Sequence, residues 1–457
     1  MKVIVCGAGQ VGFNIARTLA AESIDVTVID PLPDLVRRVS DTIDVQALVG
    51  NGAHPDVLER AGAADADMII AVTFADEINM VACQVAHSLF NVPTKIARVR
   101  AQSYLQPIWA DLFSRNHMPI DAIISPEIEV ARAIARRFQV PGAIDSIPLA
   151  GGRVQVIGVR CNPDCPVINT PLRQLTGIFP DLNIVVVAIW RDGRAFVPTA
   201  EDQMFAGDEV FFVADAAQVP RAMTIFGHEE TVARRMIIAG GGHIGLFLAQ
   251  LIEKDHPAVG AKIIEFNRER AHVIAPMIAR TPVIHGSVLD PEILAEANIV
   301  ATETIVTVTN DDETNILSSL LAKRNGAKRA IALVNSTVYP PLVSTLGVDV
   351  VVSPRAITVS TILQHIRRGR IRAIHSIEGV GEVLEAEVLE TSRLVGKSIR
   401  DAHIAEGILF GAIVRDNVVH IARADTVIRS ADRIVLFTTA EAVKEVEKMF
   451  AVRLEFF

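Results

Sequence analysis

The chain lacks any apolar run approaching the ~18 residues that a membrane-spanning helix needs. Yet half of its 457 residues are apolar and its mean hydropathy is +0.36. The apolar excess is broken into short runs such as Met68 to Val72 and Ile184 to Ala188, the pattern of parallel strands buried on both faces. No secretory leader is expected, because the first apolar run opens directly into a glycine turn. Positive charge is not in excess. Lysine and arginine number 44 against 53 acidic residues, a net charge of −9, which argues against a dedicated nucleic-acid binder. One basic cluster, Arg367-Arg368-Gly369-Arg370-Ile371-Arg372, reads as a solvated helix end or as a contact with an acidic partner rather than a phosphate-binding patch. Cysteine is scarce. Cys6, Cys83, Cys161 and Cys165 are scattered, with one close pair and no partner pair, so they read as small hydrophobes in a reducing cytoplasm, and no metal site is expected.

What is present is organised around the first dozen residues. A strand, Val3 to Cys6, runs into Gly7-Ala8-Gly9-Gln10-Val11-Gly12 and then a helix. The first glycine permits a tight turn, the second lets backbone approach a pyrophosphate, and the third lets helix and strand pack closely. The helix start offers unpaired N–H groups to phosphates. A second strand ends in Asp30, 18 residues after Gly12, where a carboxylate would accept hydrogen bonds from an adenosine ribose. Strands and helices then alternate. Their carboxyl ends carry Gly50-Asn51-Gly52, Thr73-Phe74 and Arg98, which places these residues along one edge of a doubly wound parallel sheet.

From Gly142 the rhythm changes to alternating strands and an Asp192-Gly193 hairpin signal, a small α+β module over 143–227. At Met236 the opening returns as Gly240-Gly241-Gly242-His243-Ile244-Gly245, followed by Glu265 at the end of the next strand. A constant offset of 236 residues relates Gly50, Thr73 and Asn79 to Gly286, Thr309 and Asn315, which marks an internal duplication. The hairpin module also recurs. Leu394 to Ile399 mirrors the short helix after Pro171, Gly411 to Asn417 the strand and turn around Trp190, and Asp432 to Phe437 the strand from Asp208. The fold class is therefore α/β, with two tandem Rossmann-like doubly wound domains (1–124 and 232–352), each followed by a small α+β lobe (143–227 and 373–457).

The stretches GAGQVG, AHPDVLERAGAADADMIIAVTFADEINMVACQVAHSLFN and TKIARVR resemble the tandem RCK (or KTN) family of regulatory subunits of bacterial Trk potassium-uptake systems, over essentially the whole chain. The resemblance implies a Rossmann part that binds NAD(H), in some members ATP or ADP, and a regulatory second lobe in each repeat. It also implies assembly into a ring, with a homotetramer suggested, beneath an integral-membrane potassium-translocating subunit. The chain itself would be cytoplasmic, on the inner face of the plasma membrane. The first site would use Gly7, Ala8, Gly9, Gln10, Val11 and Gly12 around phosphates, Asp30 on the ribose, Gly50 and Asn51 beside adenine, Thr73 and Phe74 at the central crevice, and Arg98 on a phosphate or carboxamide. The second would use Gly240, Gly241, Gly242, His243, Ile244 and Gly245, with Glu265, Gly286, Ser287, Thr309 and Asn310. Leu333 stands where the first site has Arg98, so the sites differ. His243 reads equally as a ligand group and as a packing residue. Acidic residues at the ribose position favour a free diol over a 2′-phosphate, hence NAD(H) over NADP(H), but do not separate NAD from ATP.

The rival class is a nicotinamide-dependent oxidoreductase, which needs an acid or base near the nicotinamide. Residues 143–227 contain no histidine and no lysine, and His375, His403 and His420 in the second lobe have no counterparts in the first. A duplicated catalytic site would duplicate that group, so the chain reads as a regulator without catalysis of its own.

Overall fold

A computed structural model describes all residues except 22, 102, 180, 181, 231, 337, 367–370, 378 and 451–457. Four residues of the basic cluster, 367–370, thus lie outside the described residues; Arg372 is described and pairs with Glu387. The chain divides into two compact units, Met1–Glu129 with Ile357–His365 and Val130–Ala356 with Ile366–Phe457.

The first unit is built on β1 (Lys2–Cys6), β2 (Asp25–Asp30), β3 (Gln46–Val49), β4 (Met68–Ala71), β5 (Thr94–Arg98) and β6 (Ala122–Ile124). All five pairings are parallel, in the order β3-β2-β1-β4-β5-β6. Val3 to Cys6 and Met68 to Ala71 are buried throughout because helices cover both faces of the sheet. Proline opens the helices Pro33–Thr42 and Pro55–Arg60, where its missing N–H costs nothing. The helix Asp76–Phe90 stops at Asn91, which takes the left-handed conformation. The strand order reverses between β1 and β4, and a crevice opens there at the carboxyl ends.

The second unit begins with β7 (Ala143–Leu149), β8 (Val154–Arg160), β9 (Ile184–Arg191), β10 (Arg194–Phe196) and β11 (Glu209–Asp215). Then come six parallel strands: β12 (Arg235–Ala239), β13 (Gly260–Glu265), β14 (Val283–His285), β15 (Thr304–Thr307), β16 (Arg329–Leu333) and β17 (Val350–Val352). Last are β18 (Ile371–Ile377), β19 (Gly381–Glu387), β20 (Ile408–Arg415), β21 (Val418–Ile421) and β22 (Arg433–Thr438). The parallel sheet repeats the first unit's order, β14-β13-β12-β15-β16-β17. The antiparallel sheets, β10-β9-β11-β8-β7 and β18-β19-β22-β20-β21, share one topology read in opposite directions. Asp192 and Gly193 both have positive φ, as do Asp416 and Asn417, so each lobe turns its hairpin in the way that matches strand twist.

One expectation is corrected. The first lobe has the helix Leu172–Ile178, but the segment from Leu394 to Ile399 forms no helix, and only a 3-10 turn, Arg400–Ala402, stands in its place. Equivalent bridges, Pro171 to Gln203 and Ser398 to Val427, align the two segments. From there β20 begins three residues sooner than β9 does, which leaves too little chain for a second helical turn.

The two lobes pack sheet to sheet. Val187, Phe211 and Val213 join Val383, Val414 and Phe437 in one buried cluster. Glu385, also buried, receives the Ala150 N–H across the seam at 2.7 Å and pairs with Arg433 of its own lobe. The Trp190 ring lies over Gly379, where a β-carbon would come within 3.2 Å of it.

Candidate functional site

The first crevice is assembled from the ends of β1 to β5. Gly7 has a φ of 111°, and a β-carbon there would press on the backbone of Val72 and Thr73 at 3.0 Å. A β-carbon on Gly12 would lie 1.7 Å from the Gly7 carbonyl oxygen, so the turn and the helix Gln10–Ala21 can close only on glycine. Gly9 is different. Nothing lies within 4 Å of the corresponding position, and Gly9 and Gln10 are exposed, so backbone faces open space. Ala8 is buried and Val11 half-buried. The Ala8 N–H donates to Asp30 Oδ2 at 2.7 Å and the Leu32 N–H to Oδ1 at 2.9 Å, which aims the buried carboxylate at the glycine turn. Gly50 donates to the Asp30 carbonyl at 3.0 Å, and Asn51 Oδ1 receives the Ala53 N–H. Thr73 is held by Asn79, whose Oδ1 takes both the Thr73 N–H and its hydroxyl, while Nδ2 donates to the carbonyls of Thr73 and Arg98. Phe74 is 85% exposed, with the Arg100 guanidinium 4.6 Å above its ring. Arg98 turns toward Glu127, and its pKa is lowered by burial and by the neighbouring Arg100.

The second crevice repeats this arrangement. Gly240 has a φ of 109°, and a β-carbon on Gly245 would lie 1.9 Å from the Gly240 carbonyl oxygen. Gly242 has nothing within 4 Å of its β-position. Glu265 receives the N–H groups of Gly241 and Asn267 at 2.6 and 2.7 Å. Gly286 donates to the Glu265 carbonyl at 3.0 Å, and Ser287 Oγ receives the Leu289 N–H. Asn315 holds Thr309 and reaches the Leu333 carbonyl through the same four bonds. Asn310 and His243 are exposed, and Ile244 is half-buried. The His243 ring lies 6.5 Å from that of Phe247, its partner along the helix face.

The glycine turns, the carboxylates, the residues after β3 and β14 and the threonines are thus brought to one edge in each half. Reading motifs alone missed the residues that hold this edge rigid. Asn79 and Asn315 lock the threonines. Asp76 and Asp312 each receive two backbone N–H groups from the segments after β5 and β16. Arg270 donates to the Gly241 carbonyl at 2.8 Å. The 236-residue offset already marked Asn79 and Asn315 as repeated; their being polar and wholly buried was the missing signal.

Residues 3–126 and 236–354 match the TrkA-N domain, and residues 156–227 and 383–451 match the TrkA-C domain. Along its full length the chain is 54% identical to the Trk system potassium uptake protein TrkA of Azorhizobium caulinodans, and 41% identical to that of Halomonas elongata, each also covered completely. Among solved structures, the GsuK channel bound to NAD shares the fold, with a TM-score of 0.61 over 99% of this chain and 79% of the other, at 19% identity.

Proposed function

Because the chain belongs to the TrkA family of Trk-system potassium-uptake proteins, we propose that both crevices are nucleotide sensors through which it regulates a membrane potassium transporter. The observation that carries this is the duplicated glycine turn, in which the first and third glycines are filled by protein while the second stands open, each turn backed by a carboxylate. That pattern fits an adenine nucleotide. N–H groups at the starts of the helices Gln10–Ala21 and His243–Asp255 would receive phosphates. Asp30 and Glu265 spend one lone pair of each oxygen on backbone N–H groups and keep others for a ribose diol.

The ligand class is NAD(H), with ATP and ADP as competitors that share the diol. A 2′-phosphate would meet a carboxylate and be repelled. Gly50 and Asn51, and Gly286 and Ser287, would border adenine. Thr73, Phe74 and Arg98, and Thr309 and Asn310, would border the remainder. His243 would stand at the outer rim of the second turn. The four domains would work as pairs, 1–124 with 143–227 and 232–352 with 373–457.

Regulation requires only that a nucleotide bind one arrangement of the domains better than another. The reading is of a sensor rather than a catalyst, since the lobe 143–227 offers no histidine or lysine to move a proton. Among the described residues no helix is long and apolar enough to cross a membrane. As the family reading has it, the chain would act on an integral-membrane potassium-translocating partner from the inner, cytoplasmic face, as a homotetramer.

The deciding experiment combines calorimetric titration with NAD+, NADH, ATP and ADP and potassium uptake by cells lacking their own regulator. Asp30→Ala with Glu265→Ala is expected to abolish binding and to remove the nucleotide response of uptake. Unchanged binding and uptake would overturn the proposal.

A further inference from the structure

A cavity that takes no part in either crevice lies at the opposite edge of the second parallel sheet. It encloses about 550 Å³ between the amino ends of β15, β16 and β17 and the joint where β7 begins and β8 ends, all within the second unit. That volume falls in the range of roughly 300–1,000 Å³ typical of small-molecule sites. The crevice of Gly240 and Glu265 stands at the carboxyl ends of the same sheet, so the two spaces are a strand's length apart.

Four cationic side chains, Arg160, Lys323, Lys328 and Arg329, and four anionic ones, Glu229, Glu230, Glu303 and Asp349, line the cavity. Most are committed within the protein. Arg160 pairs with Glu209, and Lys323 Nζ with Asp349 at 2.7 Å. Arg329 donates to the carbonyls of Arg137 and Ala143. Glu303 receives the N–H groups of Arg234 and Arg235, and Glu230 Oε1 faces His228 Nδ1 at 3.3 Å. Two are left over. Among the described residues the side chains of Lys328 and Glu229 make no hydrogen bond or ion pair, although Lys328 acts on Glu303 through space. Both are exposed, so solvent reaches them. They come from different bodies: Lys328 precedes β16, and Glu229 lies on the connection that leaves the first lobe. Nor is Lys328 a relic of the duplication. Arg329 opens β16 as Thr94 opens β5, so Lys328 stands where the first half has Pro93.

The charges select the ligand. A polyanion such as a nucleotide would meet four carboxylates, and a polyamine would meet four cations, and like charges brought together cost several kcal/mol in either case. A small molecule with one charge of each sign satisfies both free groups, its carboxylate toward Lys328 and its ammonium toward Glu229. The ammonium must be primary, because a quaternary one seeks a cage of aromatic faces and the lining has one phenyl ring, Phe138.

We propose that this cavity is an effector site for a small amino-acid zwitterion, bridged between Lys328 and Glu229 and so joining the first lobe to the second nucleotide domain.

The test records calorimetry and saturation-transfer NMR on the full-length chain with glycine, 4-aminobutyrate and 6-aminohexanoate. These carry the same two charges at growing separation. Butyrate and butylamine, with one charge each, are the comparators. At least one zwitterion is expected to bind about tenfold more tightly than both comparators, as one further charged hydrogen bond would give. Lys328→Gln and Glu229→Gln are each expected to abolish that preference with the thermal midpoint unchanged, and Lys328→Arg, which keeps the charge, to retain it. Absence of binding by all three zwitterions, equal binding by the comparators, or a preference that survives in either glutamine variant would overturn the proposal.

Discussion

Gly12 and Gly245 are the positions where a single added carbon meets the most resistance. The obstructing atom in each case is a backbone carbonyl oxygen less than 2 Å away, which has no rotamer by which to escape. Gly12→Ala and Gly245→Ala are expected to destabilise their domains by about 1–3 kcal/mol or more, seen as a lower thermal midpoint. Gly9→Ala, with open space around it, is expected to leave the midpoint within a degree or two while weakening nucleotide binding. Asn79 makes a different prediction. From the helix Asp76–Phe90, its amide serves four hydrogen bonds to Thr73, just after β4, and to Arg98, at the end of β5. Asn79→Ala leaves buried backbone groups unpaired and should cost about 2–4 kcal/mol. Chemical denaturation of the single variant and of the matching Asn315→Ala would give similar losses if the duplication is energetic as well as geometric.

At the scale of elements, each lobe carries a staple that its sequence did not announce. Arg191, at the end of β9, makes two bonds to Asp208 and one to the Gln203 carbonyl; Arg415 repeats this with Asp432 and the Val427 carbonyl. Both arginines have raised pKa values, chiefly through hydrogen bonds to the aspartates. His375 on β18 is the opposite case. Burial, with Arg136 next in influence, lowers its pKa to about 4, while Asp145 and Glu385 oppose the shift. The unfolded chain therefore takes up this proton first. Stability is full above about pH 6.5 and falls as pH drops toward 4, by at most about 3 kcal/mol. Urea denaturation across that range should show the loss, and His375→Gln should flatten it. The parallel sheets were legible because two-sided burial writes continuous apolar runs, and because glycine and carboxylate recur at fixed distances. That the helix expected at Leu394 would be missing was not legible, since a three-residue shortening before β20 carries no signal in residue type. The pairing of Arg98 with Glu127 was half legible: Arg98 stood out by its absence from the repeat, but Glu127 belongs to another strand's exit, and only folding brings it beside Arg98.

At the scale of the molecule, the apolar seam between the lobes holds one buried carboxylate. Glu385 neutralises Arg433 and receives the Ala150 N–H from the other lobe. Glu385→Ala would strand a half-buried guanidinium and an amide together, and is expected to cost about 3–5 kcal/mol. If the seam holds the lobes together, limited proteolysis should then cut within 143–227 or 373–450 at a rate the parent chain does not show.

The ring of Trp190 over Gly379 has a spectroscopic consequence. The chain has only two tryptophans, and the other, Trp109, is 54% exposed in the first unit. With Trp109 replaced by phenylalanine, the remaining indole emission would come from the seam alone. A red shift on adding nucleotide would then report an opening of that seam, and an unchanged spectrum a seam that stays closed, in solution and without a label.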